Sequence, residues 1–127
     1  EAARSLVAIG GALFRLPKRI PYNLVMELAL TGAIWSATRM AELGLVNKLA
    51  EPGEALAVAL ELADQVSKAG PLAVNASKQI IQHAYDWSDS EAWDRQMEFA
   101  GPVMQSEDWQ EGLKAFAEKR EPVWTGC

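Results

Sequence analysis

Residues 106–120 read SEDWQEGLKAFAEKR. Glu107 and Asp108 fall in what would be the first helical turn, and Lys119 and Arg120 in the last. Carboxylates near the amide end and cations near the carbonyl end complement a helix dipole, so a helix from about Ser106 to Arg120 is expected. Working back from it, Ser88-Asp89-Ser90-Glu91 is a capping box, in which a serine oxygen and a glutamate carboxylate satisfy each other's orphan amides. Trp93 and Met97 follow four residues apart. Pro102 is expected to break or kink that helix near Gly101, because proline lacks the donor and collides with the preceding turn.

The same punctuation recurs upstream. Pro71 starts a helix with Val74, Ile81 and Tyr85 on its buried side, and Pro52 opens a longer one closed by Gly70. Leu56, Ala59, Leu60, Ala63 and Val66 share a face of that longer helix. Leu45 to Leu49 suit a brief extended stretch. Ser36 can cap a short helix, Ala37 to Leu43, that Gly44 ends in the left-handed conformation. Pro21 suits a first helical position, with Tyr22, Val25, Leu28 and Ala29 recurring at helical spacing until Gly32. Residues 1–20 depart from the pattern: Gly10-Gly11 in an apolar context predicts a tight loop whose amides can approach a neighbour closely. The fold class expected is mostly α.

The 127 residues fit one domain. Half are hydrophobic, yet no apolar run suggests a membrane span or a leader, which predicts a soluble chain. Seventeen acidic and twelve basic residues give a net charge of -5, a field that disfavours nucleic acid as a partner. The single cysteine, Cys127, allows no intramolecular disulfide and points to a reducing, cytoplasmic home.

Candidate chemistry is sparse. His83, the only histidine, reads as a partly exposed helix residue with no nucleophile placed beside it. One histidine, one terminal cysteine and no carboxylates of ligand spacing predict no metal site. Gly10-Gly11 matches neither GxGxxG nor GxxxxGK. The tryptophans at 35, 87, 93, 109 and 124 suit core or interface anchors. Lys114, Lys119 and Arg120 form either a solvated basic face or a phosphate grip.

Four segments in order carry a resemblance: GGALFRLPKRIPYNLVMELALTG (10–32), SATRMAELGLVNKL (36–49), AGPLAVNASKQII (69–81) and SEDWQEGLKAFAEKREPVW (106–124). Together they resemble the C-terminal half of the enoyl-CoA hydratase, or crotonase, family. The resemblance implies the C-terminal helical part of a crotonase-like α/β fold, a superhelix of ββα turns. It divides the chain into residues 1–20, a glycine loop at the end of the catalytic core, and residues 21–127, a helical trimerisation region.

The activity it implies is addition of water to α,β-unsaturated acyl-CoA thioesters in fatty-acid metabolism. In such enzymes two glutamates handle water and proton while backbone amides hold the thioester oxygen. Counting back from Arg15-Leu16-Pro17, the second catalytic glutamate of the family falls on Glu1. The other glutamate and the oxyanion amides belong to the N-terminal half, so this chain alone is expected to be inactive. Lys119 matches the lysine that approaches the phosphates of coenzyme A bound at a neighbouring subunit, and Phe116 an aromatic lining the same region.

The family loop usually reads GAGG, whereas this one reads Ile9-Gly10-Gly11-Ala12. Ile9 therefore stands where a glycine would tolerate positive φ, and a reshaped loop is expected.

Further expectations follow from the resemblance. There is no cofactor, coenzyme A being part of the substrate; the assembly is a homotrimer or dimer of trimers; and the N-terminal half is a potential separate partner chain. A non-catalytic helical assembly module, and a crotonase-family isomerase or thioester hydrolase, remain open alternatives.

Overall fold

The structure is a computed structural model that describes residues 1–127. It is helical throughout and contains no strand. Seven α-helices follow one another: α1 (Ala12–Arg15), α2 (Tyr22–Thr31), α3 (Ala37–Glu42), α4 (Ala55–Ser67), α5 (Pro71–His83), α6 (Asp89–Met104) and α7 (Glu107–Glu118). Short 3-10 turns occupy Ala2–Arg4 and Leu16–Lys18. The chain divides into two compact units, Glu1–Val58 and Ala59–Cys127, the boundary falling in α4. No helix is long and apolar enough to cross a membrane.

In the first unit α2 packs against both 3-10 turns, and the buried apolar residues are Ile20 and Val25. Pro21 does not occupy the first helical position. It sits one residue earlier with ψ 135, its carbonyl accepting from the amides of Leu24 and Val25. Gly32 then ends α2 at φ 67, a conformation glycine adopts without a Cβ clash. Ser36 caps α3 through its Oγ, which accepts from the Arg39 amide at 3.1 Å. Gly44 follows in the left-handed region at φ 77. The stretch expected to be extended after it, Leu45 to Leu49, finds no strand to pair with and forms bends and coil.

Two proline and glycine expectations change around α4. Pro52 does not open the helix: it lies in a turn closed by the Glu54 amide on the Glu51 carbonyl, and α4 begins at Ala55. Gly70 does not close it either. It has φ -57 and ψ 119 as the residue ahead of Pro71, because a residue before proline is driven towards extended geometry.

In the second unit α5 packs along α6. Leu72, Ala76 and Ile80, spaced by fours, are half-buried, whereas Ile81 is 70% and Tyr85 68% exposed. Those two residues were expected to be buried. Ile81 lies about 100° round the helix from Ile80, off the packed face, and Tyr85 lies beyond the end of α5.

The capping box at the start of α6 is complete. The Ser88 amide donates to Glu91 Oε2 at 3.0 Å, and the Glu91 amide to Ser88 Oγ at 3.4 Å. Pro102 does not end this helix, which runs through it to Met104. Proline removes one amide, and so near the C-terminus only the bond to the carbonyl four residues back is lost.

Ser106 caps α7 by accepting from the Trp109 amide at 3.1 Å. The helix stops at Glu118, so Lys119 and Arg120 stand just beyond the last turn rather than in it.

Removing the Ser88 hydroxyl should weaken the start of α6 without touching the packed face. Ser88→Ala is expected to lower stability by about 1 kcal/mol. Urea unfolding of the two proteins, followed by circular dichroism, checks this; equal midpoints would show that the box does not hold the helix end.

Candidate functional site

The expected site residues fall in different units, Glu1 in the first and Phe116 and Lys119 in the second.

The Glu1 carbonyl accepts from the amides of Arg4 and Leu6 at 2.9 and 3.1 Å, which winds the chain into its opening turn. The end of α2 approaches this turn closely: a Cβ built on Gly32 would lie 3.5 Å from that of Ala3 and 3.8 Å from the Glu1 nitrogen. Between them is an apolar cavity of about 340 Å³ whose wall includes Leu6, Val7, Leu13, Leu16 and Leu28. Glu1 is the one ionisable residue on that wall. A carboxylate at the edge of an apolar space can pass a proton to or from a reacting group held there.

The adjoining loop accommodates Ile9 without positive φ. The left-handed residue is Gly11, at φ 97, which caps α1, while the Ile9 amide closes a tight turn on the Val7 carbonyl at 2.8 Å.

At the end of α7 the ring of Phe116 is 87% exposed. Lys119 follows with φ 55 and ψ 41 and makes no ion pair. Its neighbour Arg120 is fully engaged. Its Nη1 and Nη2 donate to the two Glu111 oxygens at 2.6 and 2.9 Å, and its Nε donates to Glu118 at 2.7 Å. Glu111 also accepts the Val123 amide at 2.8 Å. The Arg120 fork, helped by that amide, holds the Glu111 carboxyl down at about 2, and the same bonds push the guanidinium up. Of the three basic residues singled out in the sequence, Arg120 is thus a structural ion, whereas Lys114 and Lys119 make no ion pair.

The last residues fold back on α7 through a second carboxylate. Asp108, only 5% exposed, accepts from the Thr125 amide (2.7 Å), the Thr125 hydroxyl (3.1 Å) and the Gly126 amide (3.0 Å). These donors, the Thr125 amide foremost, lower its pKa. Between the two anchors Trp124 donates its indole N–H to the Lys68 carbonyl at 2.9 Å. Its ring lies against the bare Cα positions of Gly70 and Gly112. Glu111, Asp108 and Trp124 as one clasp escaped the sequence reading, which took Asp108 only as a dipole complement. A separation of nine residues between Glu111 and Arg120 has no helical period that could have announced it.

The other candidates have structural surroundings. His83 stacks on Trp87 at 5.4 Å and on Phe99 at 6.2 Å, and its Nδ1 lies 3.4 Å from Asp86. No three histidine, cysteine or acidic side chains gather as a metal site. Cys127 is a free, exposed thiol.

The enoyl-CoA hydratase/isomerase family profile matches residues 4–127. Among curated proteins, enoyl-CoA hydratase EchA19 of Mycobacterium tuberculosis is 42% identical over 122 residues, covering 96% of this chain and 46% of its own length. Carnitinyl-CoA dehydratase of Proteus mirabilis is 37% identical over 130 residues, covering 99% of this chain and 50% of its own. A crystal structure of an enoyl-CoA hydratase from Mycobacterium tuberculosis superposes with a TM-score of 0.94 at 54% identity, over 100% of this chain and 50% of that one. The enoyl-CoA hydratase EchA1 of Mycobacterium marinum gives 0.95 at 53%, with the same coverage. The chain spans about half the length of the curated relatives it matches.

The clasp has a pH signature. Glu111 and Asp108 have lowered pKa values, so their contribution is complete above the ordinary carboxylate range and is lost as pH falls through it, towards about 2 for Glu111. Acidification from about pH 5 to about pH 2 should therefore progressively loosen the tail. The indole N–H resonance of Trp124 reports this: amide-like protection at neutral pH and rapid exchange in acid are expected. Glu111→Gln should weaken protection at neutral pH and flatten its acid dependence. An acid dependence identical to that of the parent would assign the transition to other groups.

Proposed function

Because the chain belongs to the enoyl-CoA hydratase/isomerase family, we propose that it is the C-terminal half of an enoyl-CoA hydratase. The complete protein would add water across the double bond of an α,β-unsaturated acyl-CoA thioester. The observation that carries this reading is the place of Glu1, the sole ionisable group on the wall of an apolar cavity.

In the proposed reaction the Glu1 carboxylate and a second carboxylate from the remainder of the protein divide two tasks. One takes a proton from the attacking water, and the other delivers a proton to the carbon that acquires negative character beside the thioester carbonyl. Backbone amides from that same remainder hold the thioester oxygen as charge develops on it. The apolar side chains of the cavity exclude competing water and raise the strength of each charge inside.

Lys119 would bind the phosphates of coenzyme A, with Phe116 flanking them. Both lie at the exposed end of α7, where an unpaired ammonium and an open aromatic ring are free to meet a ligand. Residues 1–20 would complete the catalytic core and residues 21–127 form the helical region through which a homotrimer, or a dimer of trimers, assembles. No cofactor is required, since coenzyme A arrives with the substrate. A cytoplasmic location accords with that chemistry.

Replacing Glu1 by glutamine in the complete protein tests the reading. A fall in kcat of roughly a hundredfold or more is expected, with little change in KM, in an assay that follows loss of a short enoyl-CoA thioester. An unchanged rate would favour a helical assembly module whose catalysis lies elsewhere. Product analysis on the same samples separates hydration from isomerisation and thioester hydrolysis. The isolated 127-residue chain, lacking the oxyanion amides, is expected to turn over none of these substrates.

A further inference from the structure

Only two residues other than glycine have positive φ, Ser5 and Lys119. Position 119 ends α7, a place where glycine is favoured because it meets no Cβ penalty. A lysine there is maintained against a local preference, and the bonds around it show how. Its amide donates to Phe116 at 3.3 Å, and the next amide, of Arg120, reaches back to the Ala115 carbonyl at 3.1 Å.

The turn is then gripped from outside by Glu111. One oxygen takes Arg120 Nη1 and the Val123 amide, and the other takes Arg120 Nη2. Arg120 also donates to Glu118 and to the Glu121 carbonyl. One carboxylate therefore fixes both the residue after Lys119 and the residue four after it. The result separates two neighbouring cations. Arg120 is neutralised by Glu111 and Glu118, and Lys119 is left as the open charge on a turn with little freedom to move.

Resting on the reading of Lys119 as a ligand of the coenzyme A phosphates, we infer that Glu111 is a positioning residue for it. Through Arg120 and Val123, Glu111 holds the left-handed turn that presents the ammonium. Its contribution is to binding the phosphorylated part of the thioester and not to the chemical step. The depressed pKa of the Glu111 carboxyl accords with an ion that stays charged throughout the neutral range.

The test uses the complete protein and two substrates with the same acyl group, an enoyl-CoA and the corresponding enoyl-pantetheine, which lacks the nucleotide phosphates. Glu111→Gln removes the forked charge. Arg120→Lys keeps the charge but not the fork, and serves if the first variant fails to fold. Either is expected to raise KM for the CoA thioester about fivefold. Values of kcat on both substrates, and KM for the pantetheine thioester, should stay at parental levels.

A rise in KM for both substrates alike, or for neither, overturns the inference, since a purely structural defect does not distinguish them. Lys119→Ala separates this failure from failure of the underlying reading. If it too treats the two substrates alike, the phosphate role of Lys119 falls and the inference with it. If it discriminates while Glu111→Gln and Arg120→Lys do not, only the positioning role falls. Lys119→Gly should raise the thermal midpoint while weakening CoA thioester binding as Lys119→Ala does; a lowered midpoint would overturn the claim that the turn is held against a local preference.

Discussion

Two carboxylates one helical turn apart on α7, Asp108 and Glu111, hold the second unit closed. Between them they accept three backbone amides, a hydroxyl and a guanidinium fork from the residues that follow the helix. A tail of seven residues has no helix or sheet to satisfy its amides, and left to solvent it would carry the full conformational freedom of a chain end. Anionic acceptors suit such a segment because hydrogen bonds to a charged group are about twice as strong as neutral ones. Once the tail is pinned at Val123 and at Thr125, Trp124 has nowhere to go but across Gly70 and Gly112. A Cβ at either position would sit 3.5–3.6 Å from the ring, in ordinary van der Waals contact. The start of α5, the middle of α7 and the tail are tied at one ring.

Apolar burial contributes less to this chain than its composition suggests. Half of its residues are hydrophobic, yet the buried apolar residues are Ile20, Val25 and Ala115. Leu56, Leu60, Ile81 and Trp93 stay largely open. Exposed apolar residues scattered singly are ordinary on protein surfaces. Polar devices such as caps, the clasp and the Glu111–Arg120 fork therefore carry an unusual share of the local order. The chain matches about half the length of the related enzymes.

What could be read from the sequence was what acts within one or two helical turns. Ser36, Ser88 and Ser106 cap the helices they precede because a hydroxyl reaches an amide three residues on wherever the chain turns helical. Gly32 and Gly44 take positive φ for equally local reasons. The misreadings at Gly70 and Ile81 have other origins. The proline after Gly70 is itself a local signal, since it drives the preceding residue towards extended geometry, whereas Ile81 depends on which face of α5 meets α6, which no short window encodes. Pro102 lies close enough to the end of α6 for the helix to run through it. The Glu1 cavity was legible only as a position inherited from a resemblance, because its wall is assembled from two turns and the end of α2.

In their proposed roles, Glu1 and Lys119 illustrate two ways in which a charged residue can be prepared for chemistry. For Glu1 the preparation would lie in its surroundings, the apolar wall of the cavity it borders. Lys119 is prepared in the opposite manner, by fixing the backbone beneath it while the side chain remains in solvent. A long ammonium side chain loses substantial rotamer freedom on binding, and that cost cannot be removed from outside, but the additional cost of ordering a mobile turn can be met before the ligand arrives. The Glu111–Arg120 fork meets it within the fold. Its own charges are largely spent on each other, so the turn is held without adding a second free cation beside Lys119.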